Sequence, residues 1–322
     1  MTDGPSGVFN GQGWTGGSDH LVAIVKFALE RLALTLEVRN PTRLLLFLLS
    51  GCPVKIELRS GCVIKSNGIG RRAVLEIVGL SALGAPCSIG SRQTAIDWLI
   101  NLDDLTIETP SGIKFDLRTI DRTILAETFL YDIHYAGCNL EGSLVIDIGS
   151  NIGDTCLYFA EKGARVMAFE PDPSNFRNLK RNLQLNPHLS SRIVAREQAV
   201  GTDGRVQFKG GLRGHSGLNA YRGHSIMVES VSLQTIISEI DMSRVFLLKA
   251  DCKGCEFGLV RSEALDRVDN LQIEYDAKLG LGSLDDVLNA LRARGFRHLR
   301  VFKHNYGPYY LSSHGIISAS RS

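Results

Sequence analysis

From residue 142 onward, β-rich segments alternate with helical segments. Parallel strands joined by helical crossovers produce this alternation, so it predicts an α/β fold with a doubly wound sheet. Two further β-rich segments, joined across residues 305–308, predict an antiparallel hairpin at the C-terminus. The pattern therefore predicts a sheet of seven strands. Their sequences are LVIDI (144–148), ARVMAFE (164–170), SRIVAREQAV (191–200), VFLLKAD (245–251), NLQIEYD (270–276), FRHLRVFKHN (296–305) and YYLSSHGIISAS (309–320).

The preceding part of the chain follows an α+β pattern of helical stretches and hairpins. Asn40 is placed to cap a helix whose first residue is Pro41. The segments KIELRSGCVIKS (55–66) and LTIETPSGIKFDL (105–117) each hold two β-rich runs around a Ser-Gly turn. We therefore expect three parts: a flexible tail over 1–20, a helix and β-hairpin region over 21–140, and the α/β domain over 141–322.

Charge and hydropathy exclude several classes of protein. With 36 Lys and Arg against 34 Asp and Glu, the net charge of +2 gives no general attraction to nucleic acid or to an anionic membrane. The apolar run Leu44–Leu49 is far too short to span a bilayer. Residues 1–20 are rich in Gly and Ser where a signal peptide has an apolar core. We expect a cytoplasmic protein with no membrane partner.

The seven cysteines are isolated within apolar segments, which favours reduced thiols over a disulfide framework. Cys252 and Cys255 form a C-x-x-C pair, but no second pair is near enough to complete four zinc ligands. We therefore expect no metal site. Buried packing is favoured for this pair, and a redox pair is the alternative.

The segment VIDIGSNIGD, residues 145–154, ends a predicted strand in a glycine-containing loop. A side chain at Gly149 or Gly153 would hold a ligand away from the backbone. Asn151 stands where a dinucleotide-binding loop has its second glycine, and no G-K-[ST] follows. The loop thus favours a ligand without phosphate at this contact, with Asp147 accepting hydrogen bonds from an ammonium group or from loop amides. A tight turn without a ligand is the alternative.

Two further acids end predicted strands beside this loop. Glu170 lies 17 residues after Gly153, near the position where an acid binds ribose hydroxyls. Its two oxygens can accept hydrogen bonds from both hydroxyls of a diol. Asp251 ends the fourth predicted strand at the same edge of the sheet.

Four motifs resemble those of the FkbM-type S-adenosylmethionine-dependent methyltransferases. They are D-x-G-x-N-x-G-D (147–154), F-E-P-D-P (169–173), A-V-G (199–201) and K-x-D-x-x-G-x-E (249–256). The likeness covers roughly residues 110–315, and DRTILAETFLYDIHYAG (121–137) resembles the helix that precedes the core in that family. The resemblance implies the Rossmann-like class I methyltransferase fold, the cofactor S-adenosylmethionine, and methyl transfer most often to a hydroxyl oxygen.

The same resemblance implies roles for individual residues. Glu170 would bind the ribose, Gln198 and Ala199 would lie near the adenine, and Asp251 would face the methyl group. The family's fourth motif usually reads D-x-E-G-x-E, so Lys253 departs from it and the role of that acid does not carry over. The methionine part would be lined by Asp147, Gly149, Asn151 and Gly153.

The acceptor needs a nucleophile in line with the methyl group, and an alcohol acceptor benefits from a nearby base. Asp251 and Glu274 are candidate bases at strand ends. His215 and His224 are candidates in a repeated RGHS within a glycine-rich segment, which can act as a lid or be a plain surface loop. The chain contains no [DN]-P-P-[YF], a motif associated with methylation of exocyclic nitrogens. The predicted acceptor is therefore a hydroxyl of a small molecule or glycan.

Two alternatives belong to other functional classes. The segment LRARGFRHLRVFKH (291–304) is basic, as an RNA-modifying methyltransferase requires, although the near-neutral net charge disfavours a large nucleic-acid footprint. A non-catalytic nucleotide-binding module, such as a degenerate NAD site, is the other alternative, and Asn151 disfavours it.

Overall fold

The computed structural model describes residues 34, 36–67, 69–134, 140–210, 224–276, 281–303 and 314–322. The chain divides into two compact units, Met1–Cys87 and Ser88–Ser322. The boundary predicted at residues 140 and 141 falls within the second unit and stays a prediction. The predicted tail over residues 1–20 lies outside the described residues, as does nearly all of the helix predicted to precede Asn40. None of the helices that the structure describes has the length and apolar character needed to cross a bilayer.

The described part of the first unit contains two helices and a hairpin: α1 (Pro41–Ser50), β1 (Lys55–Glu57), β2 (Val63–Lys65) and α2 (Arg71–Ala82). The hairpin strands pair antiparallel, as predicted. Asn40 precedes α1, but its side chain does not cap the helix, which corrects the prediction. Its amide nitrogen donates to the carbonyl of Lys55 (2.9 Å) and its oxygen accepts from the amide of Glu57 (3.0 Å). Both side-chain atoms are thus bound to β1 instead of to the helix.

The second unit begins within a small four-stranded sheet, in the order β3-β4-β5-β6. The predicted hairpin over 105–117 provides its last two strands, which pair antiparallel. A short helix follows and widens into a single π-helical turn over Ala126–Leu130, where the amide of Tyr131 donates to the carbonyl of Ala126 (2.8 Å). These elements are β3 (Cys87–Ile89), β4 (Trp98–Asn101), β5 (Thr106–Glu108), β6 (Lys114–Asp116) and α3 (Arg122–Leu125).

The rest of the second unit alternates strands and helices, as the sequence pattern predicts. A three-residue strand and a β-hairpin interrupt this alternation before the fourth strand of the main sheet. The elements are β7 (Leu144–Ile148), α4 (Asp154–Glu161), β8 (Arg165–Phe169), α5 (Pro173–Leu185), α6 (Pro187–Ser190), β9 (Ile193–Arg196), β10 (Ala199–Gly201), β11 (Gly204–Gly210), β12 (His224–Ser232), α7 (Leu233–Ser238), β13 (Val245–Ala250), α8 (Glu256–Leu259), β14 (Val268–Asp276), α9 (Leu284–Ala293), β15 (His298–Lys303) and β16 (His314–Ser320).

The central sheet has seven strands in the order β15-β16-β14-β13-β7-β8-β9. Strands β14, β13, β7, β8 and β9 run parallel, and β16 runs antiparallel to both β14 and β15. The chain proceeds outward from β7 to β9 and then returns to β13 on the other side of β7. The strand order therefore reverses between β7 and β13. In open α/β sheets, a crevice for ligands forms at the carboxyl ends of the strands at such a point.

The segment SRIVAREQAV was predicted as one strand, and this prediction is wrong. It breaks after Arg196, so that β9 stays in the central sheet and β10 joins a separate sheet in the order β10-β12-β11. Ala199, Phe208 and Val228 form a small apolar cluster of their own there, which draws β10 away from the central sheet. The base of the predicted glycine-rich lid is the hairpin β11–β12. His215 lies outside the described residues, and His224 begins β12 opposite Gly210.

The two faces of the central sheet differ because successive side chains of a strand point to opposite sides. One face carries apolar side chains, such as those of Ile146 and Leu248, which belong to an extensive apolar cluster. Asp147 and Lys249 alternate with them and are buried on the opposite face. Charged side chains therefore lie under the crevice between β7 and β13, where burial makes each of them costly unless it is paired.

Candidate functional site

The crevice lies where β7 and β13 end side by side. Asp147 is in register with Lys249, and the amide of Asp251 donates to the carbonyl of Ile148 (2.9 Å). Beyond this bond, the glycine loop leaves β7 and a tight turn leaves β13. A Cβ atom at Gly149 would overlap the backbone carbonyl of Asp251. The two loops thus approach each other more closely than any side chain at position 149 would permit.

The glycine loop has a left-handed backbone at three alternate positions. The φ angles are 77° at Gly149, 48° at Asn151 and 89° at Gly153. Asparagine is among the few residues other than glycine that adopt this conformation readily, which explains its place between the two glycines. The amides of Gly149 and Ser150 both donate to the carbonyl of Phe169, so the loop is bound to the end of β8.

Asp147 is fully buried, and both of its carboxylate oxygens are engaged by the protein. Oδ1 lies 3.1 Å from Lys249 Nζ, and Oδ2 accepts from the hydroxyl of Thr155 (2.6 Å). Lys249 also donates to the carbonyl of Gly149 (3.0 Å). The sequence analysis expected Asp147 to accept hydrogen bonds from an ammonium ligand or from loop amides. The structure instead shows an ammonium group of the chain itself in that role, through which Asp147 supports the glycine loop.

Lys249 was missed by the sequence analysis, although it opens the fourth motif. Burial alone would lower the pKa of its ammonium group, but neighbouring carboxylates, Asp147 foremost, raise that pKa above its ordinary value. Lys249 is therefore a permanent cation beneath the crevice. Its charge holds the end of β7 to the end of β13.

Glu170 joins the glycine loop to the loop that follows β8. Its Oε2 accepts from the amide of Asn151 (2.9 Å), and its Oε1 accepts from the amide of Asp172 (2.8 Å). Only 4% of Glu170 is exposed, and burial raises the pKa of its carboxyl to about 8. Asp172 in turn caps α5 by accepting from the amide of Ser174 (2.8 Å). The F-E-P-D-P motif therefore places one acid at the crevice and a second acid at a helix N-terminus.

The two predicted bases, Asp251 and Glu274, come together across Lys253. The ammonium nitrogen of Lys253 lies 2.7 Å from Asp251 Oδ1 and 2.5 Å from Glu274 Oε1. All three side chains are partly exposed. Burial raises the pKa of the Asp251 carboxyl, the charge of Glu274 raises it further, and Lys253 opposes both effects. This triad lies at the ends of β13 and β14, whereas the glycine loop lies at the end of β7.

Further acids, which the sequence analysis did not single out, complete the cluster. Burial raises the pKa of Glu127, on the π-helical turn, to about 8, and the charges of Glu274 and Asp251 contribute to the shift. Burial likewise raises the pKa of Asp154 to about 7, and its Oδ2 accepts from the hydroxyl of Thr128 (2.7 Å). The sequence could have pointed to Glu127, because Glu127 lies in the segment 121–137, which resembles the helix that precedes the core in FkbM-type methyltransferases. The polar face therefore holds more carboxylates than ammonium groups.

The remaining predicted site residues are placed differently. Gln198 is partly exposed between β9 and β10, and Ala199 is buried with 2% exposed. Ala199 packs with Phe208 and Val228 in the small second cluster. Gln198 thus lies after the end of β9 and Ala199 begins β10, which differs from the predicted place of both residues at the end of the third strand. Their contact with the adenine stays a prediction.

Cys252 and Cys255 form a disulfide, so the expectation of reduced, packed thiols is wrong for this pair. The turn between them has left-handed φ angles of 50° at Lys253 and 128° at Gly254. This turn brings the two Cα atoms to 5.5 Å, within the range that a disulfide requires. A C-x-x-C spacing alone does not show whether the turn closes in this way.

Removing this disulfide is expected to lower the free energy of unfolding. The closed loop spans only four residues, so loop entropy predicts a loss of about 2 kcal/mol for the double variant Cys252→Ser/Cys255→Ser. Urea unfolding with and without a dithiol reductant measures this loss. The parent in reductant should match the double variant, and Cys52→Ser, which changes an exposed cysteine, should match the parent. A parent whose unfolding is insensitive to reductant would contradict the disulfide.

Comparison with known proteins gives a family match over part of the second unit. Residues 147–298 match the family model described as the methyltransferase FkbM domain. Methyltransferase 1 of Beauveria bassiana (strain ARSEF 2860) is 25% identical over 246 residues, which cover 67% of this chain and 95% of that protein.

Solved structures with a similar fold include two further proteins. The precorrin-6y C5,15-methyltransferase of Geobacter metallireducens GS-15 is 15% identical, with a TM-score of 0.35 over 63% of this chain and 90% of that chain. The putative transferase PH0793 of Pyrococcus horikoshii is 14% identical, with a TM-score of 0.39 over 91% and 97%. The matched residues include all four sequence motifs. Residues 147–298 are thus similar to the methyltransferase FkbM domain.

Proposed function

We propose that this protein is an S-adenosylmethionine-dependent methyltransferase that methylates a hydroxyl group of a small molecule or glycan. The observation that carries the proposal is the crevice between β7 and β13. If the strands of the central sheet are numbered along the chain, their order is 3-2-1-4-5-7-6. This is the dinucleotide-binding order 3-2-1-4-5-6 with the last strand inserted antiparallel, and it supports the class I methyltransferase fold.

The charges around the crevice suit this cofactor. S-adenosylmethionine carries a positive sulfonium and an ammonium group, and the crevice face has an excess of carboxylates over ammonium groups. In this proposal, the glycine loop from Gly149 to Gly153 receives the methionine part, because its glycines leave the backbone accessible. Glu170, at the end of β8, is placed for the ribose, since each carboxylate oxygen that accepts one backbone amide keeps a further lone pair.

The cofactor would supply an electrophilic methyl group, and the chain would orient the acceptor. The acceptor oxygen must lie in line with that methyl group at about 3 to 3.5 Å. Asp251 and Glu274 lie at the carboxyl ends of neighbouring strands, where either can orient a hydroxyl group. The partly exposed Asp251 is the proposed acceptor of the hydroxyl proton. General-base assistance of this kind contributes about 10²- to 10⁴-fold to rates.

Ligand identification tests the proposal directly. Mass spectrometry of small molecules that copurify with the protein is followed by calorimetric titration with S-adenosylmethionine, S-adenosylhomocysteine and NAD. We expect both adenosyl ligands to bind and NAD not to bind. Binding of NAD alone would instead support the nucleotide-binding alternative. Transfer of a labelled methyl group to RNA, and not to hydroxyl compounds in a screen, would overturn the proposed acceptor.

Glu170→Ala is expected to weaken S-adenosylmethionine binding by about ten- to a hundredfold. The reason is the loss of hydrogen bonds to an ionised carboxylate, which contribute about 1.5 to 3 kcal/mol, so the titration is done above the pKa of about 8 of Glu170. The structure adds a second effect, because the amides of Asn151 and Asp172 lose their acceptor. Calorimetry measures the Kd, and thermal unfolding checks the fold. Glu161→Ala, which changes an exposed acid, is the control. An unchanged Kd in Glu170→Ala would show that Glu170 does not bind the cofactor.

A further inference from the structure

Lys253 lies at a position where the family usually has an acid, and its side chain is the centre of a charge triad. Its ammonium nitrogen is 2.7 Å from Asp251 Oδ1 and 2.5 Å from Glu274 Oε1. Only 20% of the side chain is exposed. A lysine on a surface rarely holds two carboxylates at once, because its long side chain loses rotamer freedom in doing so. The triad is therefore a built feature of the crevice.

The backbone around Lys253 is held in place independently of the triad. Lys253 itself has a left-handed φ of 50°, a backbone conformation that is unfavourable for a residue other than glycine. The Cys252–Cys255 disulfide closes the turn on both sides of it. Within the same turn, Glu256 accepts from the amides of Cys252 (3.3 Å) and Gly254 (2.5 Å). The turn thus holds Lys253 in a strained backbone conformation, in which its ammonium group lies beside Asp251 and Glu274.

Other charged groups act on the triad from every element around it. Glu127 and Asp154 contribute negative charge from the π-helical turn and from α4. Lys249 lies below on β13, and Glu256 begins α8. Asp147 also lies beneath the crevice, and burial lowers the pKa of His134 to about 3, so its imidazole is neutral. Like charges raise each other's pKa, so a cation between the two carboxylates favours their ionised forms.

We propose that Lys253 is a positioning residue that keeps Asp251 and Glu274 ionised and fixed relative to one another on the acceptor side of the crevice. This inference rests on the proposed function. An ionised Asp251 can accept the proton of an acceptor hydroxyl, whereas a protonated Asp251 cannot. Lys253 also offsets part of the negative charge beside the sulfonium. It thereby limits how much more tightly the charged cofactor binds than the neutral product, S-adenosylhomocysteine.

The test compares the two adenosyl ligands, which differ in charge at sulfur. The measured quantity is the ratio of the Kd of S-adenosylhomocysteine to the Kd of S-adenosylmethionine, obtained by calorimetry at pH 8.5 and at pH 6.5. In Lys253→Met, we expect this ratio to rise about three- to tenfold above the parent at pH 8.5, because one positive charge is lost beside the sulfonium. At pH 6.5 the excess over the parent should be smaller, because protonation of either carboxylate offsets the charge that the substitution removes.

Lys253 also lowers the pKa of Glu127 and of Glu256, so protonation of either of these carboxyls in Lys253→Met acts in the same direction as protonation of Asp251 or Glu274. Lys253→Arg keeps the charge and should behave like the parent. Lys65→Met, which removes an exposed lysine elsewhere, should also behave like the parent. If Lys253→Met does not fold, the double variant Lys253→Met/Glu274→Gln removes one charge of each sign and should keep the ratio of the parent.

The outcomes separate this inference from the proposed function. A parent that binds no S-adenosylmethionine would overturn the proposed function. A parent that binds it, together with a Lys253→Met variant whose two affinities change by the same factor at both pH values, would overturn only the role of Lys253. A double variant with an altered ratio would also overturn that role.

Discussion

Gly149→Ala is expected to lower the free energy of unfolding by about 2 to 5 kcal/mol and to abolish cofactor binding. A left-handed backbone costs an alanine about 1 to 2 kcal/mol, and overpacking adds about 1 to 3 kcal/mol. The overpacking arises because the new Cβ would overlap the backbone carbonyl of Asp251, which no rotamer change relieves. A loss of this size is a large part of the total stability of a typical domain. Urea unfolding gives the free energy, and calorimetry gives the Kd.

Gly142→Ala is the matched control for this prediction. Gly142 has a similar φ of 70°, but nothing lies within 4 Å of the position that its Cβ would take. Its loss should therefore be limited to the backbone cost of about 1 to 2 kcal/mol, with cofactor binding retained. Equal losses in the two variants would show that the contact between the glycine loop and Asp251 is not tight, contrary to the structure.

Asp251→Asn is expected to lower kcat by about 10²- to 10⁴-fold while the Kd of S-adenosylmethionine stays nearly unchanged. Asparagine keeps the size of the side chain but cannot take the proton of an acceptor hydroxyl. Lys253 keeps Glu274 as a partner in this variant, so the turn after β13 should stay folded. The kinetics require the acceptor that the labelled-methyl screen identifies, and calorimetry supplies both dissociation constants.

Other roles of Asp251 would leave different results. If its charge only balances the sulfonium, Asp251→Asn should weaken S-adenosylmethionine much more than S-adenosylhomocysteine. Asp241→Asn changes an exposed acid outside the crevice and should leave all three constants at parental values. Parental values in Asp251→Asn itself would remove Asp251 from the site.

Much of the fold follows from short-range patterns in the sequence. The alternation of strands and helices after residue 142 predicted the mixed α/β fold and the seven-stranded sheet, because the periodicity of buried side chains is a local property. The hairpins over 55–66 and 105–117 were predicted for the same reason. The failure at SRIVAREQAV is instructive. The sequence does not mark the break after Arg196, and β10 pairs with β12 in another sheet, where Ala199 and Phe208 belong to a separate apolar cluster.

The outline of the site also follows from the sequence. Acids at the ends of predicted parallel strands must lie at one edge of the sheet, and Asp251 and Glu274 were predicted as candidate bases at strand ends. The sequence motifs also identified the loop from Gly149 to Gly153 and the resemblance to the FkbM-type methyltransferases. These inferences need only the order of the strands along the chain and the direction in which each one runs.

Only the tertiary structure decided which charges pair. Lys249 meets Asp147 because β7 and β13 pair in a register that joins residues about 100 positions apart. Lys253 reaches Glu274 because β14 lies beside β13 and because the disulfide-closed turn adopts a left-handed backbone. A sequence pattern shows which face of a strand a side chain occupies, but not its distance from a partner on another strand. The sequence by itself therefore determined the fold class, the likeness to the FkbM domain and the edge of the sheet at which the candidate site lies. The partners of each buried charge depend on strand register and turn geometry, which arise only when the whole sheet has assembled.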